Sequence, residues 1–431
     1  MLDFISFLSI FAIIQCHSFF VKGELGDIMR EKIVVTGMGA VTPIGTGVEE
    51  YWANLIDGVC GIGPITRFDA SRLAVRIAAE VKEFHLERHM PKQLIRQTDA
   101  FTQYAYVAAE EALGGTLPAE PERTGIVMGT AMAGVATTAN TQEILTNAVH
   151  KNVGPRFVPR ILGNIAAAQI SISHDIRGPS LTISTACASG GDAISAGATL
   201  LLTDDADAVL VVGAESILCP LVIYSLSNAR ALSRSNEDPL HASRPFDGNR
   251  NGFVIGEGGG ALVLEKEEHA RRRGATIYGE LAGWANNNDA YHVTAPAPEG
   301  TMAASCMRQA LRKAKMAPEE IGYINAHGTA TRDGDAAEAA AIQSVFSTVR
   351  PKVSSTKGAT GHMMGAGGIT EAIACIQAIR TGILPPTLNL DQPNAELDFV
   401  AKEPCRQEIS AAMTNGFGFG GQNSSLIFRQ I

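Results

Sequence analysis

Four short segments carry residues suited, by type and by interval, to chemical work. Ser184-Thr185-Ala186-Cys187-Ala188-Ser189-Gly190-Gly191 follows the strand-like run SLTIS and opens a stretch of small residues. A cysteine at a strand-to-helix turn lies near unsatisfied backbone N–H groups and the positive end of a helix dipole, and both favour thiolate. The expectation is a Cys187 pKa below the free value of about 8.5 and a nucleophilic role, with the small neighbours leaving room beside the sulfur. Alone, the residue reads sooner as a buried structural thiol. It needs partners.

Two such partners follow apolar strands. Asn325-Ala326-His327-Gly328-Thr329-Ala330-Thr331 comes after IGYIN, so His327 stands where α/β sheets hold ligands, although a strand-end histidine is often only hydrogen-bonded. Ser354 to Gly368 (SSTKGATGHMMGAGG) leads from PKVSS into a glycine-rich loop bearing Lys357 and His362. It is not a P-loop, because the lysine precedes the glycines. Asn415 to Asn423 (NGFGFGGQN) alternates glycine and phenylalanine and reads as a loop before the last strand, where phenylalanine can gate or pack. Neither it nor GEGGG at 256–260 joins a strand to a helix, as a dinucleotide fingerprint must. Single ligands on separate loops lack metal-site spacing, so no metal is expected. Asp333, Asp335 and Glu338 read as acids at a helix N-terminus.

The elements that must position these groups alternate. Strand patterns fall at 32–36, 125–128, 180–184, 208–212, 260–264, 276–282, 321–326, 351–355 and 425–428. Helical periodicity covers 49–55, 99–113, 190–202, 302–315, 335–346 and 368–380. Alternation of this kind predicts α/β architecture with crossover connections. The stretch KEEHARRR ends at Gly274, the expected boundary between a half at 29–274 and one at 275–431, whose sheets would pack face to face.

The 431 residues include 35 basic and 44 acidic side chains, a net charge of −9 that argues against a nucleic-acid partner. Hydrophobic residues at 45% exclude intrinsic disorder. Seven scattered cysteines form no C-x-x-C pair and fit a reducing cytoplasm better than a secreted disulfide framework. The apolar run Phe4–Ile14 is too short for a bilayer span of about 20 residues and lacks the flanks of a signal peptide. Residues 1–28 read as an extension ahead of a working start at Met29, or as a weak anchor, with no stable membrane insertion.

Taken in order, STACASG, NAHGTAT, SSTKGATGHMMGAGG and NGFGFGGQN resemble the β-ketoacyl-acyl carrier protein synthases, in particular the elongating kind of type II fatty acid synthesis. RPFDGNRNGFVIGEGGGALVLE at 244–265 and AYHVTAPAPEG at 290–300 extend the resemblance from about Lys32 to the C-terminus. It implies a thiolase-like α/β fold of two related βαβαβαββ halves in five layers, α-β-α-β-α, usually as a homodimer. It implies a Cys-His-His set of Cys187, His327 and His362, with Lys357 and the helix acid Glu338 as supporting charges. Phe419 would gate the site beside Phe417, and Thr294, Thr329 and Thr331 would meet the pantetheine arm of the carrier protein.

The implied reaction is decarboxylative Claisen condensation of an acyl thioester with malonyl-acyl carrier protein, without metal, nicotinamide or flavin. A ketosynthase-α of a polyketide or aryl polyene pathway is the alternative; a thiolase or a cysteine-less chain-length partner fits worse. Asn152 and Gln97 stand where relatives usually carry a second basic residue, so docking of an acidic carrier protein would lean on Arg96, Lys151 and Arg230. Arg332 and Gln422 also depart from the family pattern.

Overall fold

Ten strands order the molecule. In a computed structural model describing residues 31–82, 84–147 and 153–431, the first five are β1 (Ile33–Thr42), β2 (Thr124–Gly129), β3 (Ser180–Ile183), β4 (Ala208–Glu215) and β5 (Gly258–Lys266). The next five are β6 (Gly279–Asn288), β7 (Tyr323–Asn325), β8 (Lys352–Ser354), β9 (Ala411–Gly418) and β10 (Gln422–Arg429). Residues 1–28 and Lys151, with the readings made of them, lie outside the described residues.

The first five line up as β3-β2-β4-β5-β1 and the second five as β8-β7-β9-β10-β6. Both series therefore read third, second, fourth, fifth, first. In both, the first two pairs of the series are parallel and the last two antiparallel. This is the repeated α/β unit of a thiolase-like fold. The two series join edge to edge where β1 meets β6, with Ile33 opposite Leu281 and Val35 opposite Gly279. Strands such as β4 (AVLVVGAE) are buried throughout, as expected of a sheet covered on both faces.

Helices supply the cover. On the outer side of the first half, α1 (Ala100–Leu113) packs on β1, β4 and β5. Near it, α2 (Val135–Asn147) runs out from β2, and α3 (Asn164–His174) packs on β2 and β3. On the second half's outer side, α5 (Thr301–Ala314) lies on β6 and β10, with α6 (Arg332–Val345) against it. Between the half-sheets run α4 (Ser189–Leu202) and α7 (Gly367–Thr381), touching each other and strands of both halves. The sheets thus do not meet face to face as the alternation suggested. A helical layer separates them, and its core joins Ile194 and Leu201 to Ile369, Ile373, Leu262 and Leu426.

That layer explains the small residues of α4. A Cβ on Gly190 would lie 2.7 Å from the Gly365 carbonyl oxygen, so only glycine lets the two helix starts approach this closely. The approach brings both N-termini to one place.

Candidate active site

Cys187 occupies a single 3-10 turn, Ala186–Ala188, between β3 and the start of α4. Ala186 there has φ of 52°, and Met364, which also lines the cavity, is left-handed at 47°. Left-handed alanine and methionine at such positions are held there by their surroundings. The backbone N–H groups of Phe419 and Cys187 both face the thiol, as an oxyanion hole requires.

His327 arrives from the end of β7, and His362 follows the short helix Lys357–Thr360 that comes after β8. The Cys187 sulfur and one ring nitrogen each of His327 and His362 lie within 4.8 Å of one another. The imidazoles meet edge to face at 5.2 Å between centroids, with Phe417 against His327 and Phe253 against His362. His362 Nδ1 accepts the Met364 backbone N–H at 3.3 Å, so in the neutral ring the proton sits on Nε2. That Nε2 is buried with no partner among the described residues. It is a donor facing the cavity. A metal-bound neutral imidazole needs its lone pair on the facing nitrogen, so the convergence suits oxyanion binding better than an ion.

Glu338 holds the first histidine from behind. Its two carboxylate oxygens accept the backbone N–H groups of His327 and Gly328, each at 2.8 Å, and burial pushes the carboxyl up to about 7. Asp335 does the same for Phe246 and Ala330, at 2.7 and 3.1 Å. Arg250 then ties the motif at 244–265 to this loop by donating to the Thr331 and Arg332 carbonyls. Both acids are thereby committed to backbone donors, and Asp333 lies in the first turn of α6 as expected.

Lys357 and Glu338, the two supporting charges that the resemblance implies, do not bond each other. Lys357 is 2% exposed, and its Nζ bonds Glu371 on α7. Its charge acts at longer range: burial first, then Lys357, holds both histidines well below the ordinary imidazole value, so they are neutral at pH 7. Glu371 was legible in principle. A lone acid in the apolar run GGITEAIACI requires a buried cation.

The Cys187 thiol departs from expectation in the opposite sense. Burial pushes it up to about 11, against the pull of Lys357 and the N–H groups of Phe419 and Cys187, with Glu215 adding to the rise. The donors and the helix start are present as the sequence suggested. The apolar wall of Ile217, Phe253, Met364 and Phe417 removes more water stabilisation than they restore.

One cavity of about 380 Å³ connects these groups and is lined by Cys187, His327, His362 and Glu338. Phe417, Phe419, Thr294, Thr329 and Thr331 line it as well. Phe419 is 40% exposed at the tip of a hairpin, because NGFGFGGQN is strand, turn and strand rather than a loop before a strand. Gly418 in β9 is required by approach: a Cβ there would lie 2.8 Å from the Thr185 oxygen and 3.0 Å from the Cys187 nitrogen. Thr294 is exposed at the mouth, while Thr329 and Thr331 share a hydroxyl contact of 3.0 Å. Arg96 and Arg230 are exposed and lie outside the cavity lining. Sequence reasoning missed the apolar branch formed by Ala131, Met132, Ile217 and Leu226, which carries no motif.

Comparison with known proteins decides the family. The N-terminal domain model of β-ketoacyl synthase matches residues 30–270, and the C-terminal domain model matches 278–391. The chain belongs to the β-ketoacyl synthase family. It is a condensing enzyme of the acyltransferase class. A relative named 3-oxoacyl-[acyl-carrier-protein] synthase 2 from Coxiella burnetii is 40% identical over 93% of this chain and 99% of its own. One of the same name from Synechocystis is 39% identical over 94% and 100%. Among solved structures, a β-ketoacyl synthase from Burkholderia phymatum superposes with a TM-score of 0.86 at 33% identity, covering 93% of this chain and all of the other. A polyketide ketosynthase in complex with its acyl-carrier protein gives a TM-score of 0.83 at 31% identity, with the same coverage.

Proposed function

We propose that this β-ketoacyl synthase elongates fatty acyl chains by decarboxylative Claisen condensation with malonyl-acyl carrier protein. The observation that carries the reading is the convergence of one sulfur and two neutral imidazoles in a single cavity. Cys187 attacks the acyl thioester, the carrier's thiol leaves with the proton, and the acyl group stays on sulfur. Malonyl thioester then binds, its C–CO₂⁻ bond breaks, and the electron pair moves into an enolate. His327 and His362 donate to that oxygen, each well-placed donor contributing about 3 kcal/mol. The enolate carbon attacks the acyl carbonyl, whose oxyanion sits between the N–H groups of Cys187 and Phe419. Collapse releases the Cys187 thiolate and the lengthened β-ketoacyl chain. Loss of carbon dioxide drives carbon–carbon bond formation, so the scheme calls on no metal, nicotinamide or flavin.

The fatty-acid reading is favoured over a polyketide one because relatives named synthase 2 share 39–40% identity, against 31% for the polyketide ketosynthase. Graded acyl-carrier proteins with malonyl-carrier protein test it: β-ketoacyl product must appear with the native chain and vanish with Cys187→Ser. Product only from polyketide-type carriers would sink it.

Two finer assignments complete the reading. Arg96 shares a groove of about 560 Å³ with Arg156 and Arg160, and these guanidinium groups suit an acidic carrier protein. Arg156 and Arg160 make up for the basic residues missing at 97 and 152. Arg230 adds exposed charge elsewhere. The chain also works as a homodimer across β3, an end strand paired, among the described residues, only with β2 and exposed along Ser180–Thr182. Ile172 and Leu181 beside it are 75% and 42% exposed, and unpaired strand edges with apolar neighbours seek cover. The setting for both is the cytoplasm, where carrier protein and free thiols coexist. Among the described residues no helix is long and apolar enough to cross a membrane.

A further inference from the structure

Glu215 ends β4 with no solvent exposure, and no motif names it. Its carboxylate accepts the backbone N–H groups of Ala131 at 2.6 Å, Met132 at 3.0 Å and Gly365 at 3.2 Å, and the Thr130 hydroxyl at 3.1 Å. One oxygen, Oε2, serves both Ala131 and Gly365, so a single atom joins two walls of the cavity. Ala131 and Met132 line its apolar branch. On the other wall, Met364 comes to 3.9 Å from the Cys187 sulfur, and its N–H donates to His362 Nδ1.

We infer that Glu215 is the positioning residue that fixes the apolar branch against the His362 turn, so that thiol and imidazole keep their spacing while the branch fills. The geometry explains why a charge is used. A carboxylate has acceptor sites for four donors on two oxygens, whereas an amide would turn an N–H against one of them. Reach matters as well, because the tie must span from the end of β4 to both loops. The charge has a cost: it disfavours the Cys187 thiolate, adding to the effect of burial. Glu215 therefore aids condensation while holding down the reactivity of the free thiol. A residue whose loss merely loosened the site would raise alkylation in every variant, with or without the charge.

The inference rests on Cys187 as acyl acceptor, and two variants separate it from that reading. E215Q keeps length and loses charge; E215D keeps charge and loses reach. Condensation is followed with acyl- and malonyl-carrier proteins, and iodoacetamide alkylation of Cys187 by peptide mass spectrometry at pH 8. Thermal unfolding checks that each variant is folded. Condensation should fall about tenfold or more in both. Alkylation should rise about threefold or more in E215Q and stay within about twofold of native in E215D. If E215Q does not fold, E215D alone decides by losing condensation at unchanged alkylation. Undiminished condensation in a folded variant, or condensation and alkylation falling together, overturns the inference. A native chain that does not condense would instead sink the proposed function, while alkylation of E215Q would still report the charge effect.

Discussion

At the level of single residues, the site stores its reactivity as neutral groups. Cys187 is a thiol pushed up to about 11, and both histidines are imidazoles held below their usual range. Alkylation of Cys187 should therefore keep climbing from pH 7 to pH 10, read as the rate of modification of its peptide; a plateau near neutrality would contradict the burial argument. Glu338 gives a second pH signature. Its carboxyl sits at about 7, raised by burial, so it is ionised above that value and takes a proton as pH falls through it. The protonated form turns an O–H toward one of the two N–H groups that orient His327 and Gly328. The turnover rate should fall on the acid side with a midpoint near 7, and the histidines, with pKa values well below 6.5, do not contribute to that limb. E338Q should lower turnover about tenfold at pH 8, with KM little changed and the acid limb gone. Retention of that limb in E338Q would assign it elsewhere.

At the scale of elements, what was legible followed from local chemistry. Cys187, His327 and His362 could be read because each follows an apolar strand and meets glycine, a pattern visible in a window of ten residues. β9 was missed because its strand, AAMTNGFG, has no alternation and two glycines, both of which lower strand propensity. Gly418 is set by a contact distant in sequence, the approach of the hairpin to the Cys187 turn. Helices α2 and α3 were missed because they carry little amphipathic contrast, α2 being polar on much of its length. The pairing of Lys357 with Glu371 instead of Glu338 depends on how α7 faces the loop, which no spacing rule supplies. Gly418→Ala tests the hairpin argument. Its methyl group must displace either the oxyanion hole or the Thr185 carbonyl, so condensation should fall about a hundredfold, while thermal unfolding shifts by only a few degrees. Near-native activity would mean that the hairpin can withdraw without cost, and that the N–H of Phe419 is not part of the site.

For the whole molecule, the open question is what covers β3. A closed repeat would leave no free edge, but the order β3-β2-β4-β5-β1 puts a strand at the end of the sheet, and among the described residues no further strand pairs with it. Val158 and Leu162, on the segment leading into α3, are 55% and 45% exposed, and Ile172 on α3 is exposed still further. An apolar neighbourhood around an unpaired edge is what a second copy would bury, since two-fold symmetry sets β3 against its own counterpart in antiparallel pairing. The same face approaches the acyl branch, because Met132 both lines the cavity and is 45% exposed. The native chain should sediment as a dimer at micromolar concentration. Ile172→Glu with Leu181→Lys should sediment as a monomer, and should also lose activity on long acyl chains before short ones, since Met132 both lines the cavity and stands beside that face. A native chain that sediments as a monomer would remove the dimer; a monomeric variant with unchanged chain-length preference would keep the dimer but detach it from the acyl branch.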